Sequence, residues 1–235
     1  MPKKAKTKKE KRKKEKKKRD RRPFLYRFAA VVTRIIACPL FWNRYLSKNV
    51  IPKEGAFVAA GNHISLCDPV FLTLANRRPI RYMAKQELFR KRITRFFCKS
   101  FGAFPVNRGG ADIRSVNQAV EWLKTGKVFG IFVEGHRQKT IEVKNGKAGA
   151  VFIAHRAGAP IVPFAVYTKR QNKLRLFCKY TAIFGDPITV EELGVVTGSS
   201  SEYRKATRKL MRIIIDLQDE CAAARSGKRR KKKEK

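Results

Sequence analysis

The order of apolar and polar positions divides the chain into stretches of different character. From Met1 to Arg22 there is no apolar period, only near-continuous Lys and Arg. From Phe24 to Leu46 the sequence FLYRFAAVVTRIIACPLFWNRYL is apolar and aromatic, broken by Arg27, Arg34, Pro39 and Arg44. Arg27 and Arg34 are two helical turns apart and share a face, while Phe28, Val31, Val32, Ile35 and Ile36 crowd the rest. These interruptions keep the stretch below the run of ~20 apolar residues that crosses a bilayer. Tyr26, Trp42 and Tyr45 near its ends suit a helix lying in the headgroup region, with packing on the domain as the ordinary alternative.

Beyond Pro52 short apolar runs alternate with amphipathic ones. Residues Ala56–Ala60, Ile80–Met83, Ala103–Val106, Val128–Val133, Ile161–Thr168 and Leu174–Phe184 read as strands. Pro69–Ala75, Gln86–Phe97, Ile113–Thr125 and Gly149–Ala157 read as helices. Ser201–Ala224 continues as a long amphipathic helix with Leu210, Ile213, Ile214 and Leu217 on one side. Strand and helix in alternation predict an α/β fold, a mixed and mostly parallel sheet flanked by helices. The expected organisation is an arm over 1–22, an interfacial helical segment over 23–50, one α/β domain over 51–224 and a tail over 225–235. A chain of 235 residues suits one such core with tails.

Charge adds a partner to this picture. The formal net charge is +38 and the pI about 10.7. Met1 to Arg22 holds 15 Lys or Arg against three acids, and Arg225 to Lys235 holds eight against one. Such runs repel themselves and stay extended. At an anionic bilayer each Lys or Arg contributes on the order of 1 kcal/mol, and a nucleic acid would attract them equally. No zinc-finger spacing, RNP-like segment or DNA-reading motif is present, so no nucleic-acid partner is expected. The five cysteines, Cys38, Cys67, Cys98, Cys178 and Cys221, are scattered and form no C-x-x-C pair, which suggests neither a disulfide framework nor a metal site.

Four segments carry candidate chemistry. In Gly61-Asn62-His63-Ile64-Ser65-Leu66-Cys67-Asp68-Pro69 a loop histidine precedes a carboxylate at a helix entrance. His63 can act as a general base if Asp68 orients its ring. Asp followed by Pro is also an ordinary helix start, with Asp as N-cap. In Phe104-Pro105-Val106-Asn107-Arg108-Gly109-Gly110 a strand runs into Arg108 and a glycine turn, a composition that suits phosphate. In Ile131-Phe132-Val133-Glu134-Gly135-His136-Arg137 a buried-looking strand ends in charged residues, where α/β sites commonly form. Lys147-Ala148-Gly149-Ala150, followed by Ala157-Gly158-Ala159-Pro160-Ile161-Val162-Pro163, reads as a small-residue helix turning into a strand. His155, inside that helix, has no carboxylate near it in sequence and reads as structural.

In order and spacing these segments resemble the four motif blocks of the glycerolipid acyltransferase family that includes the 1-acyl-glycerol-3-phosphate acyltransferases. His63 and Asp68 match the H-x-x-x-x-D block, and Phe104 to Arg108 the second block. Glu134, Gly135 and Arg137 match F-P-E-G-T-R, while Lys147, Gly149, Pro160 and Pro163 match the K-x-G and P-I-V-P elements. Val133, His136 and Gln138 stand where the family has Pro, Thr and Ser, and loss of that proline is expected to loosen the loop.

The resemblance implies catalysis by His63 and Asp68, substrate binding by Arg108, Glu134, Gly135, Arg137 and Lys147, and no metal. It implies lysophosphatidate as acceptor and an acyl thioester as donor, either acyl-coenzyme A or acyl-carrier protein, with no cofactor beyond it. Main-chain donors near Gly135 are candidates to stabilise the oxyanion, their direction being open in the sequence. Ser65 and Cys67 would be bystanders, since neither has a base of its own. The anionic substrates and an anionic membrane surface together account for the charge, and the expected location is the cytoplasmic face of the membrane, peripheral or monotopic.

Overall fold

The computed structural model describes residues 24–226 apart from 25, 27, 29, 34, 36–43, 48–49, 77, 107–111, 139–141 and 169–178. The basic arm and most of the basic tail, with Arg108, lie outside the described residues.

Among the described residues seven strands form one sheet: β1 (Arg44–Leu46), β2 (Phe57–Gly61), β3 (Ile80–Lys85), β4 (Ala103–Val106), β5 (Val128–Phe132), β6 (Ile161–Thr168) and β7 (Tyr180–Phe184). Their order is β1-β7-β6-β2-β5-β3-β4. Every neighbouring pair is parallel except β6 with β7. The expected mixed, mostly parallel sheet flanked by helices is therefore the observed architecture. The helices are α1 (Asp68–Ala75), α2 (Arg92–Ser100), α3 (Ile113–Lys124), α4 (Gly149–Ala157) and α5 (Ser200–Ser226).

The central strand β2 explains the layering. All five residues of its FVAAG run are buried, because a parallel strand covered on both faces needs apolar residues at every position. Val58 and Ala60 enter a core with Leu123 of α3, Ile153 of α4 and Leu210 and Ile214 of α5. Phe57 and Ala59 point the opposite way, into a second core with Phe71 and Leu72 of α1, Ile80 and Phe164. The helical residues between 24 and 35 share this second side: Ala30 packs on the core and buried Tyr26 meets Phe101 edge-on at 6.3 Å.

Four details depart from the sequence reading. Arg44–Leu46 is a strand, not part of an interfacial helix: it pairs in parallel with β7, and Tyr45 and Leu46 pack against opposite cores. The expected helix Gln86–Phe97 is split into a 3-10 turn, Gln86–Phe89, and α2, because Lys91 is extended with φ −83° and ψ 134°. The described part of the predicted strand Leu174–Phe184 begins at Tyr180. The last helix runs to Ser226, past the predicted start of the tail, because Arg225 donates to Thr181 Oγ1 at 2.7 Å and to the Tyr180 carbonyl at 3.1 Å.

Candidate active site

Strands β2 and β5 run side by side and end together, with Gly61 opposite Phe132. Beyond that edge the chain leaves β2 as the loop that carries His63. This is the region of a parallel sheet where main-chain groups have lost their ladder partners and must find others.

Four hydrogen bonds hold the loop. Asn62, buried, donates from Nδ2 to the Val166 carbonyl at 3.0 Å and accepts from Val166 N at 2.7 Å, so its amide imitates a peptide group and prolongs the β2–β6 pairing. On the other flank His63 N donates to Glu134 Oε2 at 3.1 Å, and Gln138 N donates to the His63 carbonyl at 3.0 Å. The main chain of the catalytic candidate is thus fixed before its side chain is considered. Gly61 must be glycine, since a Cβ there would collide with the ring and carbonyl of Phe164.

The His63 ring is gripped from two directions. Its Nδ1 lies 2.8 Å from Asp68 Oδ2, and its face stacks on Phe132 at 4.0 Å between centroids and 18° between planes. Asp68 Oδ2 also accepts from Ile64 N at 2.7 Å and Ser65 N at 2.8 Å. An oxygen that already accepts two main-chain protons can only accept from Nδ1, which places the ring proton on Nδ1 and the lone pair on Nε2. The imidazole keeps 12% of its side-chain surface, while Asp68 keeps none.

Asp68 is the first residue of α1, and Cys67 occupies the cap position without a side-chain bond. The sequence offered Asp68 as an ordinary N-cap. Its carboxylate instead turns back to the loop and to His63. The remaining oxygen, Oδ1, and the hydroxyl of Tyr180 are both buried without a well-formed hydrogen bond among the described residues, although Tyr180 is near enough to interact with the Asp68 carboxylate. That phenol packs against Phe71 of α1 at 4.5 Å between centroids. Burial and then the Asp68 charge hold its pKa well above the usual value.

Glu134 is 1% exposed. The resemblance offered it as a substrate ligand, yet here its Oε2 receives the His63 amide and its Oε1 is buried without a partner. Burial pushes its carboxyl up to about 7, against the His63 hydrogen bond, with Asp68 adding repulsion.

Val133 corrects one expectation. Its N–H donates to the Gly61 carbonyl at 2.9 Å, and its own carbonyl accepts from Lys147 N at 2.9 Å. Proline has no N–H to give, so valine tightens this loop by one bond instead of loosening it. The other two departures meet each other, with His136 Nε2 and Gln138 Nε2 2.8 Å apart.

Gly135 has φ +75°, and a Cβ there would lie 3.1 Å from Cδ and Nζ of Lys147. The left-handed backbone favours glycine, and an added Cβ would also press on the exposed lysine stem. Lys147 and Arg137 are exposed, and the Lys147 ammonium lies over this loop. Gly135 N–H, however, donates to the Phe132 carbonyl at 3.0 Å, so it closes the turn and does not face an oxyanion.

Of the expected residues, the fold brings His63, Asp68, Glu134, Gly135 and Lys147 to one edge, with exposed Arg137 two residues beyond Gly135. Sequence reasoning passed over Asn62 and Phe132 as contributors. Both stood inside the quoted motifs, but a polar residue after a strand and an apolar residue ending one carry no sign of the groups they meet. The thiol of Cys67 is held up by burial and the Asp68 charge, which argues against thiolate chemistry. His155 bonds Tyr203 OH through Nδ1 at 2.8 Å, as a structural histidine does.

An imidazole held by a buried carboxylate at the edge of such a sheet is an arrangement able to take a proton from a hydroxyl. Comparison with known proteins gives that arrangement its family. The family model described as "Acyltransferase" matches residues 44–167. The chain is 34% identical over 167 residues to the 1-acyl-sn-glycerol-3-phosphate acyltransferase of Bacillus subtilis, covering 70% of this chain and 82% of that protein. It is 30% identical over 121 residues to the protein of the same name from Borreliella burgdorferi, covering 50% of this chain and 48% of the other. The crystal structure of the 1-acyl-sn-glycerophosphate (LPA) acyltransferase PlsC from Thermotoga maritima shares the fold. The TM-score is 0.62 at 23% identity, over 82% of this chain and 78% of that one. The chain belongs to the acyltransferase family, within the glycerolipid superfamily that holds the 1-acyl-glycerol-3-phosphate acyltransferases. It is an acyltransferase enzyme.

Proposed function

We propose that this enzyme transfers a fatty acyl group from an acyl thioester to the sn-2 hydroxyl of 1-acyl-glycerol-3-phosphate, forming phosphatidate. The observation that carries the reading is the 2.8 Å contact between His63 Nδ1 and a fully buried Asp68, which leaves Nε2 as the basic edge. Nε2 takes the hydroxyl proton as the oxygen attacks the thioester carbonyl. The tetrahedral adduct collapses with cleavage of the C–S bond, and the imidazolium returns its proton to the departing thiolate. No acyl-enzyme is needed.

Arg108, Arg137 and Lys147 supply cations for the phosphate of the acceptor, and Gly135 lets the chain approach it. Glu134 acts from behind, through the His63 main chain. The donor is acyl-coenzyme A or acyl-carrier protein, both anionic. Among the described residues no helix is long and apolar enough to cross a membrane. Attachment to the anionic cytoplasmic face of a bilayer therefore rests on the basic termini and the apolar helix near the N-terminus.

The test is transfer of radiolabelled palmitate from a thioester to lysophosphatidate on anionic vesicles, parent against His63→Ala. Product from the parent and almost none from the variant supports the reading. If folded, vesicle-bound parent gives product only with glycerol 3-phosphate or a lyso-aminolipid, the acceptor named here is wrong. If no acceptor is used, so is the activity.

A further inference from the structure

Helix α2 is amphipathic in the wrong sense for a protein surrounded by water. Its sequence RITRFFCKS places Ile93, Phe96 and Phe97 at positions i, i+3 and i+4, a single stripe. That stripe points outward: Ile93 is 74% exposed, and Phe96 and Phe97 are about half exposed. The inward positions are Thr94 and Cys98, both only partly buried, and Ser100 is the one buried residue of the helix. Folding has put the small and polar side chains against the domain and the large apolar ones in solvent.

The charge around the stripe is equally one-sided. From Lys85 to Ser100 there are six Lys or Arg and one acid, Glu87, whose carboxylate is 3.0 Å from Lys85. Lys91, Arg92, Arg95 and Lys99 are exposed with no acidic partner among the described residues, and exposed Arg90 shares Glu87 with Lys85. Arg95 donates to the carbonyls of Phe89 and Arg90, which secures the turn into the helix. Long cationic side chains beside an apolar stripe can reach headgroup phosphates while the stripe enters the acyl region.

A neighbouring element has the same character. Tyr26 docks against Phe101, at the end of α2. On the side of its helix away from that contact, Phe24, Phe28, Val31 and Ile35 are all exposed, at intervals of four, three and four. Two adjoining helices therefore present seven large apolar side chains to solvent, far more than scattered surface exposure explains.

We propose that the Ile93–Phe96–Phe97 face of α2 inserts into an anionic bilayer, so that the catalytic domain holds the membrane by its own surface as well as by its N-terminal segment. An acidic bilayer is the occupant favoured over a protein because the stripe is flanked by long cationic side chains on exposed positions, which match anionic headgroups beside an apolar interior. Attachment through two points also fixes the orientation of the domain on the membrane, which one helix alone does not.

The test uses the full chain carrying His63→Ala, so that binding is read without turnover and independently of the proposed reaction. Affinity is measured by sedimentation with vesicles of phosphatidylglycerol and phosphatidylcholine, with and without Ile93→Ser, Phe96→Ser and Phe97→Ser together. Loss of about tenfold or more in vesicle affinity is expected, with the far-UV spectrum unchanged, since three half- to mostly-exposed side chains no longer leave water. A second variant, Phe96→Trp, reports depth: brominated acyl chains should quench the added indole beyond the change seen in the parent. Unchanged affinity together with no quenching of the added indole overturns the proposal. So does a shift in oligomeric state, or a loss of transfer from acyl-carrier protein in the His63-containing enzyme, with vesicle affinity preserved; these would assign the stripe to a second copy or to the carrier.

Discussion

Replacing Asp68 with Asn separates the charge of the carboxylate from its hydrogen bonds. Asp68 Oδ2 accepts from His63 Nδ1, Ile64 N and Ser65 N within 2.8 Å. An Asn oxygen in the same place keeps all three acceptor contacts, so the loop stays where it is. What disappears is the negative charge that stabilises the imidazolium formed when Nε2 takes a proton. With an effective dielectric of about 20 and about 4 Å between charge centres, that attraction is worth about 4 kcal/mol at most. Reorganisation reduces it, and turnover should slow by roughly 100- to 1,000-fold, equivalent to about 3–4 kcal/mol. The Asn NH₂ then sits at the buried Oδ1 position beside Tyr180, which costs about 1 kcal/mol of stability. Asp68→Ala should behave differently, because it leaves three donors without an acceptor and costs several kcal/mol of folding free energy. The assay is initial-rate transfer on vesicles at saturating acceptor, paired with thermal unfolding of each variant. An Asn variant within tenfold of the parent, or one as unstable as the Ala variant, would refute the division of labour argued here.

Glu134 predicts a pH effect on stability. Its folded pKa, about 7, lies above the ordinary 4.5, so the folded state favours the protonated carboxyl. The resulting stability is fully present below about pH 4.5 and is lost as pH rises through 7. Glu134→Gln should flatten the difference in unfolding temperature between about pH 5 and about pH 8, while an unchanged slope would assign it elsewhere. Val133→Pro, which restores the family's residue, should destabilise the enzyme by about 1 kcal/mol through loss of the bond to Gly61, read as a fall in denaturant midpoint. Phe132→Leu removes the ring stacked on His63 and should lower kcat about three- to tenfold with little change in KM, matching a stack of about 0.5–1.5 kcal/mol. An unaltered kcat would mean that Asp68 alone orients the imidazole.

Sequence alone determined the strands, the helices and the edge of the sheet where chemistry gathers, because burial on both faces demands unbroken apolar runs such as FVAAG. Glycine at 135 was legible for the same reason that any sharp turn is, and His63 with Asp68 were legible as a matched pair within a family motif. Short elements escaped. Arg44–Leu46 is a strand only because β7 offers it an edge, and no periodicity can develop in three residues. Tertiary structure decided what each polar atom meets. Asn62 is a false peptide group because Val166 lies across from it; Glu134 serves the His63 main chain because burial turned it inward; Val133 strengthens a loop that its departure from proline was expected to weaken. Sequence also marked α2 as amphipathic but could not tell which side was outside. A helix pattern records how its residues divide around the axis, and only packing against the rest of the fold decides which half faces the solvent.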